Sequence, residues 1–286
     1  MLSIVLGFLG YSVLNVSQAS QKLGLVLAQK KKLQGSLLWL AATAGTLVAS
    51  FLVFAAVAVG NASLVGAMAG AGLASLAVFS HFVMKERIGL KEAAGVIVIV
   101  LAAGLIGVFS RDQPPSLFRL DVLFIALGAA VALAVAALLI LRRGGEILGI
   151  VIGAFSGLLG GFVPLFQKVS TSDLGRSLSL FPAPAGGENT LQTVLAMFSN
   201  PFTLAWIGLS LASMLVLQFA YKKAPVIKII PFFSAACIVV PVVGGVTCLG
   251  ESLHPAQWAG IALILAGLVL LTARGPRPRG QAPVSG

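Results

Sequence analysis

The chain has 286 residues, of which 58% are hydrophobic and 9% charged, against about 25% charged in an ordinary soluble domain. Its net charge is +11, yet the basic residues gather at the ends of apolar runs, where they orient helices in a bilayer rather than contact nucleic acid. A GxxxxGK[ST] phosphate loop, a metal-ligand cluster and a polar stretch long enough for an enzyme domain are all missing from the sequence, which argues against an enzyme, an ATP-driven machine and any cofactor.

Apolar runs near the length of a membrane span recur from one end to the other, and the pattern predicts a polytopic all-α bundle. Nine spans are predicted, at 2–24, 35–59, 62–84, 92–109, 120–141, 146–169, 201–221, 225–249 and 255–272. The first begins "MLSIVLGFLGYSVL" with no basic residue ahead of it; Lys22 and Lys30, Lys31 and Lys32 follow. That order predicts a retained span with its N-terminus outside rather than a cleaved leader. Ser12, Asn15 and Lys22 share one face of this span, with Gln18 close to it. They read either as the lining of a pathway or as hydrogen-bonding glue between helices, and Lys22 also as a snorkelling residue at the inner interface.

Span two carries Ser50, and Gly60-Asn61 predicts a tight turn into span three. The hinge "HFVMKERIGLKEAAG" (81–95) follows, with Glu86 expected to pair with Arg87 or Lys85 and tie it down, and His81 expected to pack as an isolated polar residue. In span six, Gly153, Gly157 and Gly161 form a small-residue stripe suited to close helix packing. Pro164 predicts a break in the same span that frees carbonyls at the cavity, and Gln167-Lys168 closes it. The long loop 170–200 holds the breaker cluster "FPAPAGG" and then "TLQTVLAMF", read as a short interfacial helix. Gln218 and Tyr221 in span seven are further pathway candidates. So is Lys228 in span eight, where Pro231 and Pro241 predict a broken helix with carbonyls freed at the cavity. Cys237 and Cys248 are separated by roughly 16 Å of helix, too far for a disulfide. The tail "RGPRPRGQAPVSG" is expected to be disordered.

With the N-terminus outside, fifteen of the 19 Lys and Arg fall on inner segments and four on outer ones, a strong positive-inside bias. The hinges then carry a further regularity. Glu86 precedes Gly95 by nine residues, and Glu251 in "CLGESLHPAQWAG" precedes Gly260 by nine. Gln21-Lys22 ends span one as Gln167-Lys168 ends span six. Each pair lies five spans apart, and an odd number inverts direction. The expected organisation is a four-span repeat (1–110), a linker helix with its loops (111–145), a second, inverted four-span repeat (146–274) and a tail (275–286). Inverted repeats of this kind are a transporter signature, with one midplane site facing either side in turn.

The run ending "MKER" or "CLGE", followed by "LKEAAGVIVIVLAAGLIGVF" or "HPAQWAGIALILAGLVLL", resembles the drug/metabolite transporter superfamily, whose EamA-type permeases carry this Glu and a Gly-rich helix in both halves. The nine-span layout resembles the NIPA-type magnesium transporters, as do "ASLVGAMAGAGLASLAVFSHFVMKERI" and "LQFAYKKA" with Gln218 and Tyr221. The resemblance covers nearly all of residues 1–272. It implies a multi-pass transporter of the inner (plasma) membrane with a cytoplasmic C-terminus. Where the NIPA-type family has an acidic residue in span two this chain has Ser50, and its eight acidic residues all lie at span ends or in loops. Magnesium is usually held by carboxylate oxygens. The residues therefore favour a carrier of a small polar metabolite, with a NIPA-like divalent-cation pathway as the alternative. Pathway candidates are Asn15, Gln18, Lys22, Ser50, Gln167, Lys168, Gln218, Tyr221 and Lys228. Hinge or gate candidates are Glu86, Arg87, Glu251, Pro164 and Pro231. No resident metal is expected. The partners are a small molecule or ion and the lipid bilayer, and a homodimer is compatible with the sequence. The lysines favour a substrate bearing a negative group.

Overall fold

An apolar stretch in lipid can satisfy its backbone only within itself or in a closed barrel, and this chain takes the first route. The computed structural model describes residues 2–82, 90–109, 118–140, 145–172, 198–224 and 226–272. Its described elements are all helical: α1 (Leu2–Lys30), α2 (Lys32–Val59), α3 (Ala62–Phe82), α4 (Leu90–Val108), α5 (Leu120–Ile140), α6 (Gly145–Thr171), α7 (Pro201–Lys223), α8 (Val226–Cys248) and α9 (Pro255–Thr272). Five of them, α1, α2, α5, α6 and α7, hold apolar stretches long enough to cross a membrane, and the other four hold shorter ones. Large side chains such as Leu37, Leu47, Phe51, Ile125, Leu133 and Leu215 point outward. An apolar girdle of this extent is the surface of a helical membrane bundle.

Side chains at the helix crossings show how the bundle is assembled. In the first half, α1 lies antiparallel to α2, with Gly10 against Val53 and Gly24 against Trp39. It lies parallel to α3, with Ser12 Oγ 2.7 Å from Ser75 Oγ. In the second half, α6 lies antiparallel to α7, where Ser156 Oγ donates to Ser213 O at 2.7 Å. It lies parallel to α8, with Gly153 against Ile229, Gly157 against Phe233 and Gly161 against Val240. Between the halves α3 crosses α8, with Gly66 against Pro241, and α4 runs antiparallel to α9, with Gly260 against Ile106 and Gly267 against Ile99. Helix α5 is the least embedded of the apolar helices long enough to cross a membrane; only Leu123 and Ala134 on it are buried.

Two sequence expectations are corrected here. The loop expected at 25–34 is a single bent residue, Lys31, with φ −136° and ψ 83°. The two helices reach it because small residues let them stay in contact: a Cβ on Gly35 would lie 2.2 Å from Ala28 N. The helix expected to break at Pro231 and Pro241 is continuous, and α6 also runs unbroken through Pro164. Pro241 instead seats its ring against the bare backbone of Gly66. The expected interfacial helix "TLQTVLAMF" lies almost wholly outside the described residues, as does the tail.

Candidate functional site: a buried clamp on the α2–α3 turn

The turn at Gly60-Asn61 brings together two helix ends of opposite polarity. Helix α2 presents unpaired carbonyls at its C-terminus, and α3 presents unpaired N–H groups at its N-terminus. The second half of the chain supplies a charge to each. Glu251 Oε1 accepts from Ala62 N at 2.6 Å, and Oε2 accepts from Ser63 N at 2.9 Å and from the Ser63 hydroxyl. Lys168 Nζ donates to Val57 O at 3.1 Å and to Gly60 O at 2.8 Å. A carboxylate thus caps the positive end of α3 and an ammonium the negative end of α2. Both side chains are buried, 5% and 7% exposed, far below what an unpartnered Glu or Lys tolerates.

Local backbone geometry aims the carboxylate. Gly250 has φ +64°, the left-handed conformation that glycine adopts without strain. The chain then turns back on α8, with Leu249 N donating to Gly245 O at 3.2 Å and Glu251 N to the same carbonyl at 2.9 Å. Gly245 leaves the space that the carboxylate fills; a Cβ there would lie 2.4 Å from Glu251 Oε2 and 2.9 Å from Ser63 Cβ. Burial pushes the Glu251 carboxyl above the usual range. The Ser63 hydroxyl, the Ser63 and Ala62 amides and the Lys168 charge oppose that shift without cancelling it.

Further ties surround the clamp. Arg119 N donates to Cys248 O at 2.8 Å. Gln257 Nε2 donates to Phe109 O at 3.1 Å, and His254 stacks on the Phe109 ring at 4.9 Å. Asn200 caps α7 through Phe202 N and reaches Ser170 O at 3.1 Å. Two buried side-chain oxygens here, Asn61 Oδ1 and Gln167 Oε1, have no hydrogen-bond partner among the described residues.

The other candidates are scattered along the helices. Asn15 Nδ2 bonds its own helix at Tyr11 O, 2.8 Å away, and lies against Gly72. Ser50 Oγ bonds back to Thr46 O at 3.0 Å. Gln21, which is not among the pathway candidates, bonds across to α2 at Thr46 Oγ1, 3.0 Å. Tyr221 is half-buried against Ala220 and Ile229. Gln218 is exposed, away from the helix contacts of α7. Gln18 and Lys22 lie on α1, and Lys228 and Pro231 on α8, with side chains outside the described set. Glu86 and Arg87 lie outside the described residues altogether. Of the candidates, Lys168, Gln167, Glu251 and Pro164 are buried, and Lys168 and Glu251 meet at one turn. Sequence reasoning missed Ser63 and Gly245. The available signal was a serine in the first turn after Gly60-Asn61, where hydroxyls commonly serve helix ends. The chain matches no protein-family model, and no curated protein or solved structure is significantly similar to it.

Proposed function

We propose that the chain is a secondary transporter that moves a small polar metabolite by alternating access between two inverted four-helix repeats, with nine spans in all. One observation carries this reading. The contacts within the first half, α1 with α2 and α3, recur within the second half as α6 with α7 and α8. One contact between the halves does not recur. α6 packs on α2 and α3 at the clamp, whereas among the described residues α1 has no comparable packing on α7 or α8. Two equivalent halves closed together at one end only are what a rocking carrier needs in one of its two states. The clamp is then the latch of the closed end.

Distance measurements test this. Nitroxides on Val59→Cys and Ser252→Cys, in a Cys237→Ala/Cys248→Ala background, span the clamp. Electron–electron resonance should give a short distance in the parent and a second, longer population once Lys168→Ala removes one arm. A single distribution shared by both proteins would rule out a rocking latch.

In this reading the clamp lies outside and the α1–α2 turn inside. Lys31 and Ser252 are both exposed, so single cysteines there report sidedness. Ser252→Cys should react with an impermeant maleimide on intact cells, and Lys31→Cys only after lysis. Labelling of both from one side would remove the inverted repeat.

A further inference from the structure

We propose that the groove between α5, α6 and α7 binds one anionic phospholipid, with its acyl chain in the groove and its phosphate on Lys222 and Lys223. This is independent of the transport reading. The groove has a volume of about 310 Å³, and its walls include Leu138 of α5, Ile152 and Phe155 of α6 and Phe219 of α7. It exists because α5 is loosely seated: Leu139 and Ile140, at its last turn, are 53% and 81% exposed. Lys222 and Lys223 line the same groove at the last turn of α7, and both are exposed. Lys222 Nζ stands over the Phe219 ring, 5.3 Å from its centre, so the ammonium is held against the apolar wall at the mouth of the groove.

The C-terminus of α5, the N-terminal half of α6 and the C-terminus of α7 all meet here. This is the end opposite Lys168, and it is the end on which the basic residues of the sequence concentrate. Glu146, in the first turn of α6, brings one carboxylate to the end of the helix that carries Gly149 against Lys223, and the two lysines outnumber it. Any lipid tail can fill an apolar groove in a bilayer without net gain, because the surrounding tails are equally apolar. Preference must therefore come from the headgroup, and two adjacent ammonium groups select a phosphodiester that carries net negative charge.

The test is competitive retention. The full chain is placed in nanodiscs of mixed phosphatidylcholine and phosphatidylglycerol, then released into detergent and examined by native mass spectrometry. Phosphatidylglycerol should be retained in preference to phosphatidylcholine. Lys222→Gln/Lys223→Gln should lower that preference roughly tenfold, and Lys222→Arg/Lys223→Arg should keep it. Ile152→Trp fills the groove with the lysines intact and should also abolish retention. Equal retention of the two lipids, or unchanged preference in the Gln pair, overturns the proposal. So does displacement of the lipid by inorganic phosphate, which would mean that headgroup charge alone is read.

Discussion

Replacing Glu251 by Ala should cost the folded bundle about 3–5 kcal/mol, the range found when one member of a buried charged set is removed. The reason lies in what remains. Ala62 N, Ser63 N and the Ser63 hydroxyl lose their acceptor, and Lys168 keeps a buried positive charge with less to balance it. Glu251→Gln should cost roughly half as much, since the amide oxygen still accepts from one or two of those donors. The two variants also separate by pH. Burial holds the Glu251 carboxyl above its usual range. In the interval between the ordinary and the raised value the folded state therefore keeps a proton that the unfolded chain has released, and above the raised value Glu251 is the carboxylate that caps α3. Wild-type stability is therefore greatest below the ordinary carboxyl pKa and falls as pH rises through the raised native value. Glu251→Gln should lack this dependence. Thermal unfolding in detergent across that pH range measures both effects. A wild type as flat with pH as the Gln variant would mean that Glu251 does not titrate at this site.

The periodic parts of the molecule were legible because they depend on local pattern. The helix order, the turn at Gly60-Asn61 and the contact stripe on α6 all rest on apolar length, a breaker pair and four-residue spacing of glycine. The clamp was not legible as a clamp. Glu251 and Ser63 are separated by 188 residues, and what Glu251 binds is the end of a helix rather than a basic side chain that could be matched to it by charge. Lys168 was readable as a cation at the end of a span, but two backbone carbonyls of α2 are its partners, and carbonyls leave no mark in a sequence. Gln218 shows the opposite case. Trp206, Ser213 and Ala220 are buried on α7 at seven-residue spacing, which defines its inner face. Gln218, two residues before Ala220, is rotated by about 200° from it. Helical phase thus argued for exposure, against the resemblance in "LQFAYKKA" that marked Gln218 as a pathway residue.

Gly157→Leu should cause the largest loss of any single substitution on α6, about 3–5 kcal/mol, or prevent the protein from accumulating. In a bilayer the lipid tails are as apolar as the side chains, so helices gain from close backbone approach rather than from leaving water. A Cβ on Gly157 would lie 2.2 Å from Phe233 O and 2.8 Å from Phe233 Cα. Those are main-chain atoms, and they cannot turn aside as a side chain can. At Gly153 the nearest atom is Ile229 Cγ2, at 2.3 Å, which a rotamer change can move. Gly153→Ala should therefore be milder than Gly157→Ala even though the nominal distances are nearly equal. Gly208 on α7 has no atom within 4 Å of where its Cβ would stand. Gly208→Ala should then shift stability by no more than about 1 kcal/mol, the size of the helix-propensity term. Unfolding of the four variants in mixed micelles ranks them directly. The order expected is Gly208→Ala, Gly153→Ala, Gly157→Ala and Gly157→Leu, from most to least stable. If Gly157→Leu unfolded alongside Gly208→Ala, the contact between α6 and α8 would have to be looser than the backbone approach described. The second half could then no longer move as the single packed unit that rocking requires.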